Sequence, residues 1–320
     1  VSDVAIRERL VVRDVRALSS DVVSITVGFD DGRALPAWNP GDHIDVELES
    51  GVTRQYSLCG TRADTGAWSI AVRLDPAGRG GSLFAHERLQ AGDVVRVAGP
   101  RAKFALEEAP AYVLIAGGIG ITPILTMAEH LAERGAPFRL YYFDRGAERM
   151  VFAERLDALG TSAVAVDRAL DDATTLAAVL ADAPTDALVY ACGPKRMLSE
   201  LADLVDPARL RVEDFAPEAG PPVEPAPSDV ETDAFEVQLG VGGAVHPVPA
   251  GCSVLEVLLQ AGVDVMWSCR EGNCATCETN VLEGTPDHRD VILTEDERAA
   301  NDVMFPCVSR ARSARLVLDV

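Results

Sequence analysis

The amino-acid sequence predicts a multidomain chain of three differently built parts. First comes an antiparallel β-barrel, then an α/β unit around a parallel sheet, then a small α+β unit with a mixed sheet crossed by one helix. Three observations predict this order. Short β-rich runs punctuated by Gly, Pro, Asp and Asn fill the chain up to about Leu106. From Ala111 to Phe215 apolar strands alternate with helical stretches. Ala216 to Ser228 then carries five prolines and no apolar periodicity, the composition of a semi-rigid extended linker. The expected boundaries are 1–107, 108–216, a linker at 217–229, and 230–320.

Barrel strands are expected at Leu10–Val15, Val22–Phe29, His43–Leu48, Trp68–Leu74 and Val94–Val97, with turns at Asn39-Pro40-Gly41-Asp42 and Ala91-Gly92-Asp93. Arg54–Leu58 reads as a further extended segment and Leu83–Leu89 as a helix. In the second part, strands at Tyr112–Ala116, Phe138–Phe143 and Ala187–Cys192 alternate with helices at Pro123–Glu133, Thr174–Leu180 and Lys195–Leu204, which implies helices on both faces of a parallel sheet. The third part offers strands at Phe235–Leu239 and Ala244–Val248. A capping box at Ser253-Val254-Leu255-Glu256 then opens a helix to Gln260 that Gly262 closes. Val281-Leu282, a second capping box at Thr294-Glu295-Asp296-Glu297, and a last strand Arg315–Val320 follow.

Composition is that of a water-soluble globular chain, 48% apolar and 25% charged. The longest nearly unbroken apolar run, Tyr112–Leu125, contains three glycines and falls short of the ~20 residues a bilayer requires. Val1-Ser2-Asp3 leads into charged residues without a secretory pattern, so the cysteines fit a reducing, cytoplasmic setting. The opening on valine is compatible with processing or with excision from a longer chain. A net charge of −21 argues against nucleic acid and anionic membranes as partners. From Asp229 onward sixteen acidic residues face six arginines and no lysine. That excess serves solubility, or forms an acidic face that steers a basic redox partner.

Cys269, Cys274 and Cys277 are spaced C-x4-C-x2-C, and Cys307 follows after 29 residues. This is the ligand spacing of a plant-type [2Fe–2S] cluster. Three thiolates converging on one inorganic core demand a tightly curled backbone, which Gly272, Ala275 and the short polar residues between them permit. A structural zinc site would instead favour paired C-x2-C knuckles, and the C-x4-C step argues against it.

Two further regions carry chemistry. In Arg54-Gln55-Tyr56-Ser57-Leu58 an extended backbone puts 54, 56 and 58 on one face, where an aromatic ring can lie against a planar isoalloxazine and a guanidinium can pair with a phosphate. Gly78-Arg79-Gly80-Gly81-Ser82 lets the backbone approach an anion, with Ser82 expected to cap the helix that follows. In the second part, Gly117-Gly118-Ile119-Gly120-Ile121-Thr122-Pro123 joins a strand to a helix, with Thr122 expected as N-cap and Pro123 as first helical residue. It departs from the Rossmann G-x-G-x-x-G fingerprint, ending on proline. Cys192-Gly193-Pro194 ends another strand, on the carboxyl edge where ligands of open α/β sheets bind. Asp144, 24 residues past Gly120, can bond a ribose 2′-hydroxyl and favours NADH. Arg145 and Arg149 nearby could host a 2′-phosphate, which leaves NADPH open. Cys59 and Cys252 read as core residues.

Taken together these motifs resemble the ferredoxin–NADP reductase superfamily, and more narrowly the phthalate dioxygenase reductase family, over roughly Arg7 to Val320. The resemblance implies a flavin-binding antiparallel β-barrel, an NAD(P)H-binding α/β parallel sheet and an α+β ferredoxin-like β-grasp domain. It implies FMN as the flavin, with Arg54, Gly80, Gly81 and Ser82 on its phosphate. Tyr56 would lie against the ring, Ser57 near the hydride-accepting nitrogen, and Ala71 and Val72 along the ribityl chain. Gly117, Gly118, Gly120 and Thr122 would form the dinucleotide turn, Cys192, Gly193 and Pro194 would border the nicotinamide, and Phe215 would lie near the flavin. Cys269, Cys274, Cys277 and Cys307 would ligate the cluster. Electrons would pass from NAD(P)H through flavin and cluster to a terminal oxygenase, with Ser57, Cys192 and Phe215 nearest the hydride transfer. The partner is either a separate Rieske-type ring-hydroxylating or O-demethylating oxygenase or the haem domain of a self-sufficient haem-thiolate monooxygenase. A non-catalytic NAD(P)H-sensing protein is a third reading, which the intact Arg54-x-Tyr56-Ser57 set and four cysteines count against. A ferredoxin segment without any globin-like segment excludes a simple flavin reductase or an NO-detoxifying enzyme.

Overall fold

Period-2 runs of Val, Ile and aromatic residues do become strands in the first hundred residues. The structure, a computed structural model, describes residues 6–49, 52–76, 80–146, 149–160, 163–166, 175–181, 183–215, 234–267, 270, 272 and 275–320. Strands β1 (Ile6–Ala17), β2 (Val22–Gly28), β3 (Asp42–Glu49), β4 (Val52–Ser57) and β5 (Trp68–Arg73) are followed by helix α1 (Gly81–Glu87) and strand β6 (Val94–Ala102). They form one six-stranded sheet in the order β4-β3-β6-β1-β2-β5, a nearly closed antiparallel barrel. Inward positions of several strands fill it: Leu10, Val12, Ile25, Val27, Ile44, Val46, Ile70, Val72 and Val97 are all buried in one cluster. The strand order leaves β4 and β5 unpaired with each other. Helix α1 packs against β3 and β5, on either side of that seam, so its N-terminal turn lies beside β4.

Apolar runs after Ala111 become the second sheet. Its elements are β7 (Tyr112–Gly117), α2 (Ile121–Glu133), β8 (Phe138–Phe143), α3 (Ala153–Ala158), β9 (Ala163–Val166), α4 (Leu176–Ala181), β10 (Leu188–Cys192), α5 (Lys195–Leu204) and β11 (Leu210–Glu213). The order β11-β10-β7-β8-β9 has every neighbouring pair parallel. Alternation along β7 explains the layers. Tyr112, Leu114 and Ala116 join Ile124, Leu125 and Ala128 of α2, while Val113 and Ile115 join Val179 of α4 and Met197, Leu198 and Leu201 of α5. The first of these clusters also contains Val22, Cys59, Ala71 and Phe104 from the barrel. Barrel and parallel sheet therefore share one core and form a single compact unit, which takes in the described residues of 1–49 and 54–217. Strand β11 has no periodic signal in the sequence, because Leu210-Arg211-Val212-Glu213 is short, half polar and at a sheet edge.

The smaller unit contains β12 (Phe235–Leu239), β13 (Val245–Val248), α6 (Val254–Gln260), β14 (Thr279–Glu283), β15 (Pro286–Asp287), α7 (Glu295–Ala300), β16 (Val303–Met304), β17 (Arg310–Ala311) and β18 (Arg315–Leu318). The main sheet runs β13-β12-β18-β14-β16 and is mixed, with β12 parallel to β18 and antiparallel to β13. Val254, Leu255, Val257 and Leu258 of α6 pack on Phe235, Val237, Leu316 and Leu318. Both capping boxes form: Ser253 accepts from the Glu256 amide at 3.2 Å, and Thr294 from the Glu297 amide at 3.3 Å. Gly262 lies just past α6 with φ +75°, the left-handed position that ends a helix most cheaply on glycine. The proline-rich linker lies outside the described residues. No helix among the described residues is long and apolar enough to cross a membrane.

Replacing Ser253 with Ala removes one partner of the α6 box. Urea unfolding of the smaller unit is expected to lose about 1 kcal/mol of stability, and Ser253→Thr to retain most of it.

Candidate functional site

The parallel sheet changes direction between β7 and β10, because β8 and β9 extend one way from β7 and β10 and β11 the other. Turns at the carboxyl ends of these two strands flank the crevice at such a switch point. They are Gly117–Gly120 and Cys192–Pro194, the two motifs expected to border a nucleotide. Their backbones touch. A methyl group on Gly120 would run into the Cys192 carbonyl oxygen and lie 2.9 Å from the Gly193 nitrogen, and one on Gly117 would lie 2.6 Å from Pro194. Only glycine permits this approach, and it leaves the amide-rich turn open along the crevice. Gly118 has φ +57°, and the Arg73 guanidinium rests directly over it.

Thr122 does not cap α2. The chain already turns through a 3-10 segment at Gly118–Gly120, the helix begins at Ile121, and the buried Thr122 hydroxyl donates back to the Ile119 carbonyl at 3.1 Å. Ser82 does not cap α1 either. Gly80 stands at the N-cap with φ +90°, and Ser82 Oγ accepts from the Asp75 amide at 3.0 Å. In both places glycine supplies the turn that a side chain was expected to fix, so the hydroxyl is used to brace the loop.

On β4 the two faces separate as the alternation requires. Gln55 turns away, donating to Asp45 Oδ1 at 3.1 Å and lying 3.2 Å from His43 Nε2. Burial pushes that imidazole down to about 3, so it is neutral. Tyr56 packs against the barrel core and burial raises its phenol, with Arg54 opposing. Arg54 reaches the α1 turn, its Cγ 3.5 Å and Nε 3.8 Å from where a Cβ on Gly81 would stand. A guanidinium, a glycine turn and a neighbouring aromatic ring at the barrel seam are a donor set that fits a flavin phosphate and ring. Ala71 and Val72 lie on opposite faces of β5, Ala71 in the core shared with the parallel sheet and Val72 in the barrel core. The Val72 carbonyl is 2.9 Å from His86 Nε2, which ties β5 to α1.

Ser57, Cys192 and Glu213 converge from three elements. Ser57 is buried and its hydroxyl donates to Glu213 Oε2 at 3.4 Å. Cys192 is fully buried and sits opposite Glu213 in the β10–β11 register. Burial raises its thiol well above the usual range, helped by the Glu213 and Asp214 charges, so it is protonated. Burial also pushes the Glu213 carboxyl up to about 7, against the pull of Lys103 and the Ser57 hydroxyl. Glu213 is the participant the motif reading missed, since nothing marks it beyond standing two residues before Phe215. Phe215 itself follows β11 and is 39% exposed. Cys59 is buried as expected, whereas Cys252 is only half-buried, its thiol 3.4 Å from Glu256 Oε2.

Asp144 stands at the carboxyl end of β8 and is buried, but its carboxylate is already engaged. Oδ1 accepts from the Arg145 amide at 2.7 Å and Oδ2 from Arg73 Nη2 at 2.7 Å. Arg149 does not stand ready for a phosphate. Its Nη2 is 2.5 Å from Asp21 Oδ2 and its Nε is 3.5 Å from Asp144 Oδ1. Arg73 Nε lies 3.4 Å from the same Asp21 oxygen. Two arginines and two aspartates thus alternate in a ring, with one of each sign contributed by the barrel.

In the smaller unit Cys277 and Cys307 are both buried in the core, while Cys269 and Cys274 lie outside the described residues. The surrounding loop has the curl that convergent thiolates need. Arg270, Gly272 and Ala275 all adopt left-handed φ, of 65°, 70° and 59°. A methyl on Gly272 would lie 2.6 Å from Val308, next to Cys307, so the loop closes against the fourth cysteine's segment. Arg270 stacks 4.1 Å from the Trp267 ring centre, and the Gly272 carbonyl accepts from the Val291 amide at 3.1 Å. Buried Asp290 holds that outer turn by accepting from the Ile292 and Leu293 amides.

Comparison with known proteins assigns both ends of the chain. Residues 9–106 match the oxidoreductase FAD-binding domain, and residues 240–312 match the 2Fe-2S iron-sulfur cluster binding domain. A vanillate O-demethylase oxidoreductase of Pseudomonas sp. (strain HR199 / DSM 7063) is 40% identical over 97% of this chain and 99% of its own. The solved phthalate dioxygenase reductase, described as modular for electron transfer from pyridine nucleotides to [2Fe–2S], is 33% identical with TM-score 0.67, each chain covered to 98%. An intact type IV self-sufficient cytochrome P450 monooxygenase is 38% identical with TM-score 0.76 over 98% of this chain. The chain spans only 41% of that protein's length.

Two outcomes follow from this geometry. Gly120→Ala is expected to cost about 1–3 kcal/mol in thermal unfolding, because backbone on both sides must move, and to weaken 5′-AMP binding at least tenfold. Glu213 keeps its proton in the native state up to about pH 7 but loses it near 4.5 when unfolded. The native state therefore binds more protons in that window, and stability falls as pH rises through it. After discounting for partial solvent screening the fall is about 1–2 kcal/mol. Glu213→Gln is expected to flatten it in urea titrations at pH 4.5 to 8.

Proposed function

The chain belongs to the phthalate dioxygenase reductase family, and from that premise we propose that it carries electrons from NADH through FMN and a [2Fe–2S] centre to a Rieske-type oxygenase, one that hydroxylates an aromatic ring or removes an O-methyl group. The chain is an iron–sulfur flavoprotein reductase dependent on a pyridine nucleotide. The observation that carries the reading is the meeting of Ser57, Cys192 and Glu213 at the sheet's switch point, beside the flavin strand β4.

Each residue's part follows from its chemistry. Arg54 and the Gly80–Gly81–Ser82 turn hold a flavin phosphate, and Tyr56 offers its ring face. Phe215 covers the flavin as part of the segment that carries Glu213. Gly117, Gly118 and Gly120 present amides to the nucleotide pyrophosphate, while Cys192, Gly193 and Pro194 border the nicotinamide. Asp144 faces the ribose of NADH. Ser57 presents a short hydroxyl to the reacting edge, and Glu213 Oε2 fixes its rotamer by accepting its hydrogen bond. The Cys192 thiol stays protonated, so it does not serve as a thiolate nucleophile. When bound, the flavin takes a hydride's two electrons and the iron centre takes electrons singly, which is chemistry no side chain here supplies. Cys269, Cys274, Cys277 and Cys307 hold that iron centre. The protein's work is positioning and exclusion of water.

FMN is favoured over FAD by the family resemblance. The cytoplasm suits a chain that keeps four cysteines for iron and buries Cys59 and Cys192 as free thiols. The similarity to the self-sufficient cytochrome P450 motivates a second reading, in which the electrons serve a haem domain. Reconstitution separates the two: the purified chain is expected to support turnover of a Rieske oxygenase and not of an isolated P450 haem domain.

Under anaerobic conditions NADH is expected to bleach the flavin band and to raise a reduced-cluster paramagnetic signal. Cys277→Ser is expected to leave the bleaching intact and to lower reduction of an acceptor that requires the cluster by more than tenfold. Normal delivery by that variant would refute the electron route. Heat-released flavin running as FAD on chromatography would correct the choice of FMN.

A further inference from the structure

We propose that Asp21, a residue of the flavin barrel, sets the choice between pyridine nucleotides by neutralising Arg149, so that the site takes a ribose 2′-hydroxyl and turns away a 2′-phosphate. The inference rests on the reading of Asp144 as the residue that faces the NADH ribose, and it names what keeps the neighbouring cation from reversing that preference.

A 2′-phosphate brings about two negative charges and binds best to a guanidinium fork that offers two parallel N–H donors. Of the two cations near Asp144, Arg145 is exposed to solvent, and half-buried Arg149 is the one the fold holds at the site. Its Nη2 is held 2.5 Å from Asp21 Oδ2, while its Nε, buried, has no hydrogen-bond partner. One prong of the fork is therefore spent on Asp21, and the other makes no hydrogen bond but faces Asp144 Oδ1 at 3.5 Å. Arg73 is tied up in parallel, its Nη2 on Asp144 Oδ2 and its Nε near Asp21. The four charges cancel. An incoming phosphate would have to displace one carboxylate and face the other. Asp21 and Asp144 side chains are only 17% and 3% exposed, so solvent screens this repulsion poorly.

Asp21 is built into its place. It ends the turn between β1 and β2, where the Ser19 hydroxyl donates to its Oδ1 at 2.9 Å, leaving Oδ2 for the arginines. Its carbonyl accepts from the Leu74 amide at 2.8 Å, one residue past Arg73. The position is thus fixed from the barrel side, although the nucleotide it screens belongs to the parallel sheet.

The test is calorimetric binding of adenosine 2′,5′-bisphosphate and 5′-AMP, which needs no loaded flavin, supported by the NADPH:NADH ratio of kcat/KM in the holoenzyme. The wild type is expected to prefer 5′-AMP. Asp21→Asn should tighten the bisphosphate about tenfold relative to 5′-AMP, the size of one charge-assisted hydrogen bond. Asp21→Asn combined with Arg149→Gln should lose that gain. Ser19→Ala, which loosens Asp21 while keeping its charge, should shift the ratio the same way by about twofold. A wild type that prefers 5′-AMP and NADH, with a ratio unmoved in Asp21→Asn or both ligands weakened equally, overturns the role of Asp21. A wild type that prefers the bisphosphate and NADPH overturns the underlying NADH reading instead.

Discussion

Two backbone turns share one narrow space at the carboxyl edge of the parallel sheet, and the rest of the site is arranged around that contact. Gly117 and Gly120 lie so near Cys192–Pro194 that no side chain fits between them. The approach follows from sheet topology. β7 and β10 are neighbours in space but separated in sequence by two whole βα units, so their turns diverge over opposite faces and leave a crevice between them. Removing Cβ atoms frees the unfolded chain and so costs more conformational entropy on folding. Here it yields a shallow wall of peptide groups instead of a ridge of side chains, the surface that the proposed pyrophosphate and nicotinamide contacts call for.

The barrel is joined to this sheet by a common core, and that has chemical consequences. Val22, Cys59, Ala71 and Phe104 are buried among residues of β7 and α2, so the strand carrying Tyr56 and Ser57 has a fixed place relative to β10 and β11. Ser57 can then meet Glu213 across 156 residues of sequence. A hydride donor and acceptor must approach within van der Waals contact, and a shared hydrophobic core holds two domains to that tolerance better than surface ion pairs do. The Arg73–Asp144–Arg149–Asp21 ring adds charge-specific contacts across the same junction.

In the smaller unit the same economy appears at the cysteine loop. Left-handed residues at 270, 272 and 275 curl the chain, and the loop is braced outward by Arg270 on Trp267 and by the Asp290 turn rather than by its own side chains.

Much of this was legible in the sequence by itself: the alternation that makes barrel, parallel sheet and mixed sheet, both capping boxes, the glycine turns, and the spacing of Cys269, Cys274, Cys277 and Cys307. Those features are local, set by side-chain period, backbone permissiveness or ligand geometry within a few residues. What the sequence could not determine is long-range and pairwise. Ser82 and Thr122 fit a helix N-cap by type, yet a preceding glycine turn had already taken that task. Glu213 lies on an edge strand without periodicity and gains meaning only opposite Cys192 and against Ser57. Arg149 looked available beside Asp144 until the fold brought Asp21 to it from the barrel. Tertiary structure decided these because a charge or a hydroxyl is defined by its partner, and the partners are distant in the chain.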